Sequence, residues 1–293
     1  MLEISHTACS MARSCQHKYK LRYVDGIKPL RKSEALAIGE ILHQAFDRFY
    51  RGQTDKQVVA FITDTMDDQL LSSNSDTYED LSVTKAILLG MWNNYPYKDL
   101  TQFEEIASEK EFRTALNDKV LYVGKIDRLV KKDGQWWISE LKTSGLPFNV
   151  FKNRVSVSDQ PTGYVWACRK QGIPVEGVVY DYVKKPSLRK GIRENMNSFT
   201  NRIGTDYKLR PSLYFGSHYE YRSDEDVERW VRDTEQQAEA IKGIWNGKHY
   251  RNTDSCFMYN SECAYKKICF TEKPDPLTMQ LYFEQKGTSH ERV

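Results

Sequence analysis

Gly124-Lys125-Ile126-Asp127-Arg128-Leu129-Val130, followed across Lys132-Asp133-Gly134 by Trp136-Trp137-Ile138-Ser139-Glu140-Leu141-Lys142, is the stretch whose reading decides the fold. Leu121 to Val130 is rich in β-branched and apolar residues, Asp133-Gly134 is a hairpin signal, and Trp136 to Leu141 resumes the strand pattern. Side chains alternate across a strand, so Glu140 and Lys142 project together while Leu141 points into the opposite layer. An antiparallel partner then brings Asp127 beside Glu140. Two carboxylates this close repel unless a cation lies between them, and hard oxygen ligands favour Mg²⁺ or Mn²⁺. Lys142 beside that ion is suited to orienting a water or offsetting charge that develops on a phosphate. The alternative for these residues alone is a surface hairpin with solvated charges.

Further motifs accompany this one. Gly124-x-x-Asp127, Glu140-x-Lys142-Thr143 and Gln160-x-x-x-Tyr164, in this order, resemble the RecB-like branch of the PD-(D/E)xK nuclease superfamily. The upstream Gly39-Glu40-Ile41-Leu42-His43 is similar to the helical histidine motif of that branch. The resemblance covers roughly residues 1 to 270. It implies that His43, Asp127, Glu140 and the main-chain carbonyl of Leu141 hold the metal and that Lys142 is the catalytic lysine. Gln160 and Tyr164 match a helical pair that supports the active site and contacts DNA.

Six cysteines form the second pattern. Cys256, Cys263 and Cys269 cluster late in the chain, and Cys15 lies in Cys15-Gln16-His17-Lys18-Tyr19-Lys20. Three clustered thiols do not complete a tetrahedral site, so a fourth ligand must come from a distant segment, with Cys15 as the candidate. The arrangement resembles the iron–sulfur nucleases of the AddB type and the CRISPR-associated Cas exonucleases. That resemblance implies a [4Fe–4S] cluster clamping the N- and C-terminal segments together. This chain departs from the family by six residues between Cys256 and Cys263, where two are usual. Structural zinc is the rival, since four thiolates suit either metal. Disulfides are disfavoured because Met1 to Ser10 has no apolar signal region, which also gives a cytoplasmic expectation in a bacterial, phage or mobile-element setting. Cys168, and with it Cys9, is expected to be spare, although Cys9 competes with Cys15 as a ligand.

The formal net charge of +3 says little about partners. Local charge says more. Lys18, Lys20, Arg22, Lys28, Arg31 and Lys32 interleave with Tyr19 and Tyr23, and Lys184, Lys185, Arg189, Lys190 and Arg193 form a second run. Basic residues mixed with aromatics suit a groove that tracks a nucleic-acid backbone, so Lys18, Lys20, Arg22, Lys184 and Lys185, with Gln160 and Tyr164, are the DNA-binding candidates. Solvated helix faces are the alternative for either run. No apolar run reaches the length of a membrane span.

The predicted order of elements supports the site. Ser33 caps a helix to about Arg51 that carries His43 on or beside its apolar face, and helices follow over Lys56 to Leu71 and Tyr78 to Tyr95, around the polar turn 72–76. These helices are expected to form a lobe over the cleft. Strands over Ile106 to Leu116, Val120 to Lys131 and Gln135 to Lys142 make a meander, with Glu109 and Glu111 either marking a solvent-facing strand edge or supplying one further carboxylate that approaches the site. A loop with Gly145 and Pro147, a helix from Ser158 to Gln171, a strand from Val175 to Val183 and a loop or hairpin over 184–214 come next. Ser223 and Asp226 open an amphipathic helix that ends at Gly247. From Met279 onward a frayed tail is expected, with Leu281, Tyr282 and Phe283 as residues able to dock.

The expected fold is therefore α/β: a PD-(D/E)xK restriction-endonuclease-like core, its mixed central sheet flanked by helices, with a helical insertion and an iron–sulfur clamp. The expected divisions are an N-terminal segment (1–32), a helical region (33–105), the nuclease core (106–215), a C-terminal helix with the cysteine cluster (216–275) and a tail (276–293). The expected function is a Mg²⁺- or Mn²⁺-dependent DNA exonuclease on single strands or duplex ends, hydrolysing phosphodiesters with metal-activated water. Two other readings stand beside it. One is a Cas-exonuclease-like end-processing accessory with a recombination or integration partner protein. The other is a catalytically silent, zinc-bearing DNA-binding module.

Overall fold

The computed structural model describes residues 1–30, 34–71, 75–96, 98, 103–258, 261–271 and 273–285. The chain opens with β1 (Leu2–Ile4), α1 (His6–Ser14) and α2 (Gln16–Tyr19), which continues into a π-helical turn (Lys20–Val24) before β2 (Ile27–Pro29). Ser5 ends β1 and caps α1 by accepting from the Ala8 N–H. Three helices follow, α3 (Glu34–Tyr50), α4 (Asp55–Leu71) and α5 (Ser75–Asn94). Ser33 and residues 72–74, assigned above to a cap and a turn, lie outside the described residues.

The meander is β3 (Glu104–Asn117), β4 (Val120–Lys132) and β5 (Gln135–Ser144). Asp133 (φ 52°) and Gly134 (φ 79°) both take positive φ, as a two-residue type I′ turn between right-twisted strands requires. The chain then runs through α6 (Phe148–Ser156), α7 (Asp159–Lys170), β6 (Val175–Lys184), α8 (Met196–Leu209), α9 (Pro211–Tyr214), β7 (Phe215–Tyr221) and the long α10 (Asp224–Trp245). The capping box of Ser223 and Asp226 opens α10, as its sequence indicated. A 3₁₀ turn (Thr253–Cys256), β8 (Phe257–Met258), β9 (Ser261–Glu262), α11 (Lys266–Cys269), α12 (Pro276–Tyr282) and β10 (Phe283–Gln285) complete it.

The main sheet has the order β1-β4-β5-β6-β7, with β3 on the other edge of β4. β1 with β4 and β5 with β6 are parallel; the remaining pairs are antiparallel. One face carries Tyr122, Ile138, Tyr180 and Tyr182 against residues of α1, α6, α7 and α10. The other face contributes Leu141 and Val183 to a core with Ile38, Leu42, Phe46, Trp92 and Ile203. The helices α3 to α5 therefore cover the second face of the sheet and do not stand apart as a lobe. No helix among the described residues is long and apolar enough to cross a membrane.

Three stretches differ from the sequence reading. Residues 184–214, read as a loop or hairpin because of their charge, contain α8 and α9; Phe199, Ile203 and Tyr207 recur every four residues and are fully buried. Phe151 and Val155, four apart, likewise bury one side of α6, where a loop was expected. The tail is not frayed through residue 285: β10 pairs with β2 and seats Phe283 among Leu21, Ile27, Tyr265 and Ile268, so the docking expectation holds for Phe283, while Leu281 and Tyr282 are exposed. Its last eight residues, 286–293, lie outside the described residues.

Candidate active site

β4 and β5 are paired from Lys132 and Gln135 to Arg128 and Ser139, and there the ladder stops. The next pair in register would be Asp127 with Glu140. Instead, the Leu141 N–H donates to Oδ2 of Asp127 at 3.2 Å, so a side chain replaces the ladder acceptor and the strands part into a fork. On the β5 side of the fork Lys142 Nζ lies 3.0 Å from Glu140 Oε2. From α3, His43 Nδ1 lies 3.1 Å from Asp127 Oδ2. On α7, the Gln160 amide donates to the Tyr164 hydroxyl at 2.9 Å.

The two motif glycines differ: a side chain is excluded at Gly124, while at Gly39 a Cβ would make ordinary contact. A Cβ on Gly124 would sit 2.5 Å from the Phe112 ring, which is packed between Tyr122 and Tyr164. A Cβ on Gly39 would already touch Thr143 Oγ1 at 3.4 Å, so a longer side chain there would lift α3, and His43 with it, off β5.

Electrostatics set the four titratable groups apart. Burial pushes the Glu140 carboxyl up to about 7, with Lys142 pulling against it and the Asp127 charge adding to the rise. Burial would raise Asp127 too, but the His43 hydrogen bond and charge, the Lys142 charge and the Leu141 N–H outweigh it and hold this carboxyl below its usual value. Burial depresses His43 and Lys142; Asp127 in the first case and both carboxylates in the second outweigh it, leaving each cation favoured. The site thus holds two carboxyls with opposite tendencies, flanked by two groups that prefer to be charged.

The donor set fits a divalent cation. Glu140 is only 2 % exposed, and its Oε1 has no hydrogen-bond partner among the described residues. A buried carboxylate oxygen left without a donor is costly, and a cation between Glu140 and Asp127 would satisfy it. No three His, Cys, Asp or Glu side chains among the described residues are drawn together as an ion's shell; His43 and Asp127 are instead closed on each other.

Two further carboxylates stand near the fork. Glu109, at φ 49°, lines a 20 Å³ cavity with His43, Tyr50, Asp127, Arg128 and Asp181, enough for about one water. Glu109 is ion-paired with Lys125. The expectation that one of the two β3 glutamates approaches the site holds for Glu109. Asp181, pushed up to about 6 by burial against the pull of Arg128, has no counterpart in the sequence reading, because a lone Asp in an apolar strand carries no motif. Arg128 itself lies 3.5 Å over the Tyr50 ring and is bonded to Glu105 at 2.8 Å.

The expected DNA-binding residues separate. Arg22 and Tyr23 line a 440 Å³ groove with His6, Lys125, Gln160 and Tyr164, directly beside the fork. Lys20 is ion-paired with Asp25 at 2.5 Å, and Lys18 lines the cysteine pocket. Tyr19, offered as a stacking residue, is buried. Lys184 is 8 % exposed, with its ammonium set against the Tyr214 ring, which takes it out of a surface role; it ends a core strand, so its charge misled. Lys185 is half-buried, and its N–H donates to Ser144 O at 2.7 Å. Arg31 and Lys32 lie outside the described residues.

Sequence reasoning missed Arg222, which is buried between β7 and the α6–α7 junction. Its guanidinium donates to Thr162 Oγ1 and Val155 O at 2.8 Å each and to Glu220 Oε1 at 2.5 Å, fixing the start of the helix that carries Gln160. Only proximity in the fold reveals it.

Cys15, Cys256, Cys263 and Cys269 line one pocket with Lys18 and Arg251. The Asn252 N–H points at Cys15 Sγ at 3.4 Å, and Arg251 donates to Cys269 O at 2.9 Å. The four thiols expected to act together are therefore neighbours, although no three converge on a single-ion centre. Cys9 and Cys168 are buried in the main core, away from this pocket.

A sheet that forks at Asp127 and Glu140, with a helix-borne histidine over it, is the frame of a known class of nuclease. The PD-(D/E)XK nuclease superfamily model matches residues 3–270, and the chain belongs to that superfamily. Over 199 residues it is 26 % identical to one of the subunits of the ATP-dependent helicase/deoxyribonuclease of Streptococcus equi subsp. zooepidemicus strain H70, covering 64 % of this chain and 18 % of that protein. Its counterpart in strain MGCS10565 matches equally. The chain thus spans under a fifth of the length of these relatives. Its fold is shared with a solved candidate exonuclease from Eubacterium rectale, with a TM-score of 0.52, 12 % identity, and 95 % and 92 % of the two chains covered.

Proposed function

We propose that this nuclease cleaves DNA with the help of a divalent metal ion, working as an exonuclease on single strands or duplex ends. The observation that carries the reading is the fork, where Asp127, buried Glu140, Lys142 and His43 meet beside the groove holding Gln160 and Tyr164. The deoxyribonuclease activity named for the streptococcal relative supports DNA as the substrate.

Asp127, Glu140, His43 and the Leu141 carbonyl would hold Mg²⁺ or Mn²⁺. Such an ion supplies Lewis acidity and makes water a nucleophile near neutral pH. Lys142, kept charged by both carboxylates, offsets negative charge developing on the phosphate. Tyr164, whose hydroxyl burial holds protonated and Gln160 fixes, can hydrogen-bond the strand at the groove wall.

The four cysteines that line one pocket would hold an iron–sulfur cluster, the reading their resemblance to the iron–sulfur nucleases implies, with zinc as the rival. In a cluster each thiolate binds a different iron, so its sulfurs need not converge on one point. The cluster would clamp the two ends of the fold.

The test incubates anaerobically purified protein with end-labelled linear and circular DNA, single- and double-stranded, with and without Mn²⁺. Mn²⁺-dependent loss of label from linear single strands, absent in Asp127→Ala, is expected. Cleavage that persists in Asp127→Ala would refute the assignment, and iron and sulfide analysis of the same sample tests the cluster.

A further inference from the structure

The edge of β4 is paired with β1 as far as Tyr122 and with β5 only from Arg128, so residues 123–127 have no strand partner on that side among the described residues. The 440 Å³ groove is lined by Val123, Gly124 and Lys125 of this stretch, the last of them two residues before Asp127. Its volume lies in the roughly 300–1,000 Å³ range of small-molecule sites, room for one nucleotide and far less than a duplex needs.

The walls are chemically divided. Arg22 comes from the π-helical turn and Lys125 from β4, two residues before Asp127. Tyr23 adds an aromatic surface and is held in place: its ring stacks on buried Tyr19, with centroids 4.7 Å apart and 30° between planes. Gln160 and Tyr164 complete the groove with an amide and a hydroxyl already bonded to each other. Cations, a braced aromatic ring and fixed polar groups in one nucleotide-sized space match a phosphate, a base and a sugar.

We infer that the groove holds a single unpaired nucleotide next to the scissile bond, its base against Tyr23 and its phosphate between Arg22 and Lys125, where it takes the place of Glu109 in the Lys125 ion pair. The inference rests on the nuclease reading and deepens it: the strand must present an unstacked nucleotide to be cut. Single strands and frayed ends qualify; a fully paired internal position does not.

The test measures binding of deoxythymidine monophosphate and of thymidine to the full chain by ligand-observed NMR, without metal. The monophosphate should bind the wild type, and thymidine more weakly. Tyr23→Ala and Arg22→Ala should each weaken the monophosphate about tenfold, the stacking loss following from the usual strength of base–aromatic contacts. Tyr23→Phe, which keeps the ring, should bind as wild type does. Thermal melting of every variant separates a lost contact from a lost fold. Unchanged monophosphate binding in folded Tyr23→Ala and Arg22→Ala, or thymidine binding as tightly as the monophosphate, would overturn the inference. Because no cleavage is involved, a protein that binds as described yet never cuts DNA would instead refute the nuclease reading alone.

Discussion

The fork and the cysteine pocket are built by opposite means. Asp127, Glu140 and Lys142 are close in the chain and are placed by strand register, with the full sheet behind them. Cys15 and Cys269 come from near the two ends, and the segments between Asn252 and Cys269 are short turns and two-residue strands with exposed Phe257 and Met258. Ser255 Oγ and the Asn252 amide donate across to Ser14 O and the Tyr265 hydroxyl to Ile27 O, beside the small core around Phe283. A site made by register stands without its ligand; a site made by chain closure relies on it.

The widest split between the two regions should appear in Lys142→Ala. Losing a cation aimed at developing phosphate charge is expected to lower cleavage about 10²–10³-fold with little change in melting temperature. Cys15→Ser should do the reverse, lowering stability by roughly 2–5 kcal/mol, on the scale of removing a long-loop cross-link, while leaving the residual folded protein able to bind Mn²⁺. Iron chelation should then destabilise the wild type and leave Cys15→Ser unmoved, as calorimetry can show.

The same comparison explains what the sequence disclosed. Register-built features were legible: the meander, the Asp133-Gly134 turn and the capping box at Ser223 follow from local periodicity and spacing, whereas the joining of His43 to Asp127 was implied by the family resemblance alone. Features made by long-range packing were not. The charges of 184–193 drew attention from the apolar repeat of α8, and Lys184 reads as a surface cation although its strand ends in the core. Arg222 and Tyr23 acquire their surroundings only when distant segments meet.

Arg222 sharpens the contrast within the sheet region. Arg222→Ala removes a buried cation that donates to Glu220, Thr162 and two helix carbonyls and should cost about 3 kcal/mol. Arg222→Lys restores charge but not the multiple bonds, so it should recover only part of the loss in chemical denaturation.

The remaining effect is on pH. Glu140 has a folded-state value of about 7 against an unfolded value near 4.5, so the folded state holds the proton longer. Its stabilising contribution is therefore complete below pH 4.5 and is lost as pH rises through 7 in metal-free protein. Glu140→Gln should flatten that slope in urea titrations between about pH 5 and 8.

The central claim is that the Asp127–Glu140 fork is a divalent-metal site. Anomalous diffraction from crystals grown with Mn²⁺ tests it most directly. A single strong peak within ligand distance of both carboxylates is predicted, with none in Asp127→Ala. Mn²⁺ bound elsewhere in a protein that cleaves DNA with Mn²⁺ would contradict it.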